Sequence, residues 1–456
     1  MIDFLAMIPA FVLGWIFVRL LAPLESRLEV PLGLGLGAGI SSAIFFLLTW
    51  AGVASRISTI GAEAVFIGAG VALLFRLKRP RQERKTAAPP SWIWILRIAA
   101  LIAFALVVMD FSQSLSANPD GGYDAAAIWN IRARYLAGGP QSWHYAVSPA
   151  TGTNHPGYPL LVSAFVARTW TLLGDLRSST PAALSAIFTL ATISTLVAAL
   201  WTLAGEVFAW LAALLLLASE GFVSQASVQY ADIPLSFFVL SSVAVLAIGA
   251  ARDWPPSLVA LAGVFASMAA WTKNEGLPFL AFVFVAVLWR GGLRSAKCFA
   301  AAAAPVLILT LAFKLFVAEG RESMFPATAS QAFQMIAASS RWSEIFASFA
   351  RNFWELGPPW AHPFLLMAIL AWAFGFAPQA RSRVWMLLAP AGLLAADFAV
   401  YLITMSGLTW HLSTSNNRVI IQVWPALIFS FLLMLRELPL AADNHGKRPS
   451  RSKTSK

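Results

Sequence analysis

Apolar stretches of about 20 residues, nearly free of charge, recur from one end of this chain to the other, most of them joined by short loops. A helix needs about that many residues to cross roughly 30 Å of hydrocarbon. Lipid offers a backbone amide no partner, so a crossing segment must be a helix or part of a closed barrel. Runs such as 209–218 are apolar without alternation, which excludes the in–out pattern of a barrel strand. The expected fold is an all-α polytopic membrane protein. Composition agrees, with 59% hydrophobic and 12% charged residues, against roughly 25% charged in an average soluble domain.

Spans are expected near 4–22, 33–54, 60–77, 92–111, 180–203, 206–222, 233–251, 256–272, 277–291, 297–317, 360–378, 384–404 and 419–435, thirteen in all. Lys and Arg collect on the cytoplasmic side of a bilayer. The richest loop holds Arg76, Lys78, Arg79, Arg81, Arg84, Lys85 and Arg97, so it is expected inside. Alternation from there puts Arg19 and Arg27, then Arg252, then Arg290, Arg294 and Lys297, then Arg381 and Arg383 on the same side. The tail with Lys447, Arg448, Arg451, Lys453 and Lys456 joins them, and the N-terminus falls outside. The net charge of +11 therefore reads as topology, not as a nucleic-acid partner. The lone Cys298 excludes an internal disulfide framework. No Lys or Arg precedes the first apolar run, so it does not read as a cleaved signal.

Four segments follow from this layout. Residues 1–90 form a three-span leader with a basic cytoplasmic linker, and 91–318 a core with a long outer loop over 112–178. Residues 319–436 carry a second outer loop and the last spans, and 437–456 a basic cytoplasmic tail. Within the first outer loop two interfacial helices are expected, one ending near Ala137 and one near Leu173. The second is kept from spanning by Pro156 and Pro159 at its start and by Arg168 within it. There is no internal repeat of the kind that marks many transporters.

With the topology drawn, the polar residues hardest to explain lie on the outer face. They are Asp120, Asp124, Arg132, Arg134, His144, His155, Tyr230, Asp232, Lys273, Glu275, His411, Asn417 and Arg418. Ionisable groups at membrane depth are costly, so several on one rim point to a site. Each also has a plainer structural role open to it. Asp120 or Asp124 could cap the short helix that follows. On that helix Asp124, Ile128, Ile131 and Tyr135 share a stripe at 4-3-4 spacing. Asp232, two residues before Pro234, could cap a span. Lys273 could be a snorkelling lysine with Glu275 nearby, while His155 and the stretch from His411 to Arg418 could be solvated loop.

In order, these residues resemble the GT-C superfamily of membrane glycosyltransferases, particularly the protein O-mannosyltransferases, the lipid A aminoarabinose transferase and related bacterial proteins. The likeness covers roughly residues 92–290. Asp124 in Gly-Tyr-Asp-Ala takes the place of the first acid of the family's loop-one motif; Ala125 stands where many relatives carry a second. His155-Pro156-Gly157-Tyr158-Pro159 is similar to a proline-rich segment, and Asp232 in Ala-Asp-Ile-Pro-Leu to a second-loop acid. Thr272-Lys273 is similar to a Thr-Lys-Gly element, here with Asn274-Glu275 before Gly276.

What the resemblance implies is an inverting transfer of a sugar from a polyprenyl-phosphate donor to a glycan, lipid or protein acceptor. The expected place is the outer face of a bacterial inner membrane, with membrane lipids around it. Asp124 would be the general base and Asp232 would orient substrate. Lys273, then Arg418 and Arg132, would hold the leaving phosphate. Asp120, His155, Tyr158, Tyr230, Glu275 and His411 would contact substrate. No cofactor or metal is called for, although a divalent cation is compatible. The competing reading is a transporter or flippase for a lipid-linked or small polar substrate. It would need ionisable groups near mid-span; Glu63, Lys314 and Asp397 are candidates, scattered and without an obvious partner in the sequence.

Overall fold

The computed structural model describes residues 2–22, 24–76, 89–149, 155–319 and 325–436. The expectations on Lys78, Arg79, Arg81, Arg84, Lys85 and the tail beyond Arg436 lie outside the described residues. Within them the chain is helical, apart from one isolated antiparallel bridge between Phe376 and Leu435. The first helices are α1 (Ile2–Leu21), α2 (Ser26–Trp50), α3 (Arg56–Arg76) and α4 (Ile93–Ala117). A π-turn over Ala125–Asn130 leads into α5 (Ile131–Ala137), followed by α6 (Leu161–Leu173), α7 (Ser179–Ala204), α8 (Glu206–Leu217) and α9 (Glu220–Ser227). Then come α10 (Asp232–Ala250), α11 (Pro256–Thr272), α12 (Gly276–Ala312), α13 (Ala329–Ala337) and α14 (Ser339–Trp354). The last are α15 (Pro363–Phe374), α16 (Ala380–Arg383), α17 (Leu388–Ile403) and α18 (Leu408–Met434).

Among the described residues, nine helical stretches are long and apolar enough to cross a bilayer, or ten if α8 and α9, bent by 69°, form one broken span. The chain is thus an α-helical polytopic membrane protein, but length alone does not reach thirteen crossings. The stretch expected at 206–222 breaks between α8 and α9. At 17 and 12 residues, α11 and α15 fall short of a full crossing. The spans expected at 277–291 and 297–317 belong to one helical stretch interrupted only at Gly292, whose φ of 74° suits glycine. That break reverses the chain. Lys314 lies 40 residues beyond Asn274, which a straight helix would place about 60 Å away, yet its Nζ is 2.6 Å from Asn274 Oδ1.

The two ends of the bundle differ in character. At one end Asp3 of α1 accepts hydrogen bonds from Ser179 and Thr180 at the start of α7, at 3.0 and 2.6 Å. Ser185 of α7 donates to the Ala226 carbonyl of α9 at 2.6 Å, which brings the start of α10 to the same end. At the opposite end Arg97 of α4 meets Glu206 of α8 at 2.6 Å, and the Arg27 guanidinium lies over the Trp201 ring. The first three helices touch later ones. Trp271 of α11 donates to Ser42 of α2 at 3.0 Å, and Glu63 of α3 is joined to α6.

Within the protein α6 is buried continuously from Leu161 to Trp170, packed against α1, α2, α3, α5 and α7. Arg168, expected to keep this helix from spanning, is fully buried: Nε and Nη2 hold Glu63 at 2.9 and 2.5 Å, while Nη1 reaches the Ala6 carbonyl. A buried charge is tolerated when it is paired and hydrogen-bonded. Glu63 therefore has a partner, contrary to its isolation in the sequence.

Candidate functional site

Asp232 occupies the first turn of α10, following Gln229, whose positive φ of 62° turns the chain. It is not the N-cap, a position held by Ala231. Instead Oδ1 accepts from Lys273 Nζ at 3.0 Å and from Gln422 Nε2 at 2.7 Å. Lys273 terminates α11 in extended conformation, and its ammonium also meets Glu275 Oε1 at 2.7 Å. With side-chain exposures of 5% for Lys273 and 1% for Asp232, this is no snorkelling pair. Burial works against the Lys273 charge, but Asp232 and Glu275 outweigh it and hold its pKa above the ordinary lysine range. Both acids sit at helix N-termini, of α10 and α12, where the macrodipole favours negative charge.

A second pair stands beside the first. Asp124 precedes the π-turn without capping it, and its carboxylate binds Arg418 of α18. The Arg418 guanidinium lies 5.1 Å from the centroid of the Tyr230 ring, an arrangement that favours the cation. The Asp124 amide donates to Tyr230 Oη at 3.2 Å. Burial raises the Tyr230 phenol above its usual range, against the opposing pull of that amide. Gly122 is needed here, because a Cβ at that position would come within 2.5 Å of Tyr230 Oη. Around this core, Gly122 N donates to the Val228 carbonyl at 3.0 Å, and Asn130 Nδ2 to Gln229 Oε1 at 3.2 Å. These contacts seat the first loop on the turn before α10.

Two expectations of local structure are corrected. Of the stripe Asp124, Ile128, Ile131 and Tyr135 only Ile128 is buried; the buried residues are Ala125, Ile128, Trp129, Asn130, Arg132, Ala133 and Leu136. The π-turn adds a residue per turn and rotates the face. The stretch from His411 to Arg418 is not a loop either, because α18 starts at Leu408. Its early polar residues are satisfied from neighbouring elements. Asn416 donates to Ser348 of α14 at 2.9 Å, and the His411 ring bonds Thr404 at 3.0 Å. On a helix, Arg418 and Gln422 are one turn apart and face the two acids together.

The remaining expected residues divide. Tyr158 stacks between Trp129 and His155, with centroids 5.7 and 4.6 Å away, and lies in the electrostatic field of Lys273 and Arg418. His411 is within the field of Glu275 and Arg418. Arg132 is fully buried, and its Nε and Nη2 hold the carbonyls of Ala146, Pro156 and Tyr158 at 2.7 to 3.2 Å. Its contacts make it the scaffold of the proline segment. Asp120 is exposed and offers its backbone carbonyl to Asn130. His144 packs on Trp143.

Three residues join the cluster that sequence reasoning did not place there. Gln422 is one. Asp397 of α17 is buried within the field of Glu275, Lys273 and Asp232. Lys314 bonds Asn274 and, at 3.0 Å, the Gly157 carbonyl. Four buried polar atoms of the cluster, Glu275 Oε2, Asp397 Oδ2, Gln422 Oε1 and Arg418 Nε, have no hydrogen-bond partner among the described residues. Among those residues no group of three His, Cys, Asp or Glu stands close enough to hold a metal ion. No protein-family model, curated protein or solved structure matches this chain.

Proposed function

We propose that this protein is a membrane glycosyltransferase. It transfers a sugar from a polyprenyl-phosphate donor to a glycan, lipid or protein acceptor at the bundle end that carries Asp124, Asp232, Lys273 and Arg418. In this reading that end faces the outside of a bacterial inner membrane. Thirteen crossings follow if α11, α15, both limbs of α12 and the bent pair of α8 and α9 each count as one.

The supporting observation is the set of four partnerless buried atoms beside two acid–cation pairs. An unmet buried polar group costs about 1–3 kcal/mol, so a cluster of them is the mark of a place completed by polar groups from outside. A phosphosugar supplies both kinds of partner: hydroxyls for Glu275, Asp397 and Gln422, and phosphate oxygens for Arg418. Lys273 is already neutralised by two carboxylates, so the phosphate contact passes to Arg418. Its Nε is uncommitted, and Asp124 holds its Nη1 only until phosphate competes for it. That competition would release the Asp124 carboxylate. An acceptor hydroxyl then attacks the anomeric carbon and gives its proton to Asp124, while the bond to the phosphate oxygen breaks and polyprenyl phosphate departs with the electron pair. Attack opposite the leaving group inverts the anomeric centre.

Transport gains less support. Glu63 is neutralised by Arg168, and the reversal at Gly292, midway along α12, lies at the opposite end of its two limbs from Asn274 and Lys314. Neither makes the mid-membrane, broken-helix site that such proteins use.

Binding of a polyprenyl phosphate to purified protein tests the reading. Arg418→Gln should weaken it by roughly 10- to 100-fold, from the loss of a charge-assisted bond of about 1.5–3 kcal/mol. Equal binding by the variant would remove Arg418 and the phosphate assignment with it.

A further inference from the structure

A cavity of about 780 Å³ opens between α4 and the pair α7 and α8, and none of the acid–cation cluster lines it. Its walls are Ala100 and Phe104 of α4, Leu190 and Val197 of α7, and Ala213 of α8, all apolar. Polarity is concentrated at one end, where Arg27 and Arg97 stand beside Trp201. Leu190 and Trp201 are eleven residues apart on α7, so the groove runs about 16 Å along that helix. That is about half of the roughly 30 Å hydrocarbon thickness, the depth of a single leaflet. The groove exists because α4 packs loosely, with only Ile93 and Ala100 buried along its length.

The mouth is prepared for a phosphate. Glu25 holds Arg27 through Nε at 3.0 Å, and the guanidinium rests 4.7 Å from the Trp201 ring centroid. Glu206 holds Arg97 through Nε and Nη2, at 2.7 and 2.6 Å. Glu206 fixes one edge of the Arg97 guanidinium, Glu25 is an ion-pair neighbour of Arg27, and both forks keep donors for another oxygen. Both arginines are exposed, at 39% and 47% of the side chain. Tryptophan and arginine together are the usual residents of the headgroup level. An apolar space of this size does not hold water stably, since water needs polar partners; in a bilayer, acyl chains are always at hand.

We propose that this groove binds one acyl chain of a phospholipid from the leaflet on the arginine side, with its phosphate held by Arg27 and Arg97. The site is at the opposite end of the bundle from Lys273 and does not depend on the transfer reaction.

The test is lipid retention. Purified full-length protein is equilibrated with phosphatidylglycerol vesicles, re-extracted in detergent, and its bound lipid counted by mass spectrometry. Wild type should keep phosphatidylglycerol through the extraction. Ser194 is an exposed residue of the groove wall, so Ser194→Trp fills the groove without entering the packed core and should lower retention about tenfold. Arg27→Gln combined with Arg97→Gln should lower it to a similar degree, with thermal unfolding in detergent measured alongside because Glu25 and Glu206 are mostly buried; a variant that unfolds early is replaced by Arg27→Lys with Arg97→Lys, which keeps both charges and should retain lipid. Unchanged retention with Ser194→Trp, or a polypeptide retained in place of lipid, would overturn the groove assignment. Unchanged retention in the arginine pair would overturn the headgroup contact.

Discussion

Asp124 is where the two roles open to a loop carboxylate come apart. Its side chain makes no capping bond and binds Arg418 across the bundle. Asp124→Asn keeps size and polarity but cannot accept a proton. Transfer should fall by roughly 10²- to 10⁴-fold, while polyprenyl phosphate binding survives; transfer near the wild-type rate would take Asp124 out of the mechanism. Lys273 is a poorer probe, because its removal strands two buried carboxylates and unfolding would mask any functional effect. Much of the cluster was legible in the sequence. Asp124, Tyr230, Asp232, Lys273, Glu275 and Arg418 stood out as charges or phenols on one rim, and they meet. Gln422 carries no such mark, and Asp397 reads only as an isolated mid-span acid, because each sits inside an apolar helix and only tertiary packing assigns it a direction. Had α18 been started at Leu408, the spacing from Arg418 would have pointed to Gln422.

Elements were harder to read than residues wherever tertiary contacts override local signals. Arg168 in an apolar stretch argues locally only against a span, and no local pattern reveals an acid 105 positions away. The π-turn after Asp124 likewise leaves no mark in hydrophobic periodicity. The Arg168–Glu63 pair ties α6 to α3, so breaking it from one side should be costly. Arg168→Met alone should destabilise by about 3–5 kcal/mol, since it leaves Glu63 charged and buried. The double change Arg168→Met with Glu63→Leu should recover much of that loss. Thermal unfolding in detergent reads both, and additive losses would mean the two residues act separately.

At the scale of the whole molecule, helical class and membrane character follow from composition and run length, because hydrocarbon imposes both. The number of crossings does not, since α11, α15 and the limbs of α12 are short enough for packing to decide their place. Sidedness is open to direct measurement. Reporter fusions after Asn118 and after Lys447 should report opposite sides, with the first outside; the same side for both would dismantle the arrangement on which the outward-facing site rests. The central claim, that the cluster consumes a lipid-linked sugar, is tested most directly in the lipids themselves. Polyprenyl-phosphate sugars extracted from cells lacking the protein are compared with those from cells carrying wild type or Asp124→Asn. The account predicts that one such lipid accumulates in the deletion and equally with Asp124→Asn, and that wild type returns it to its normal level. A lipid-linked sugar pool identical in all three strains would contradict it.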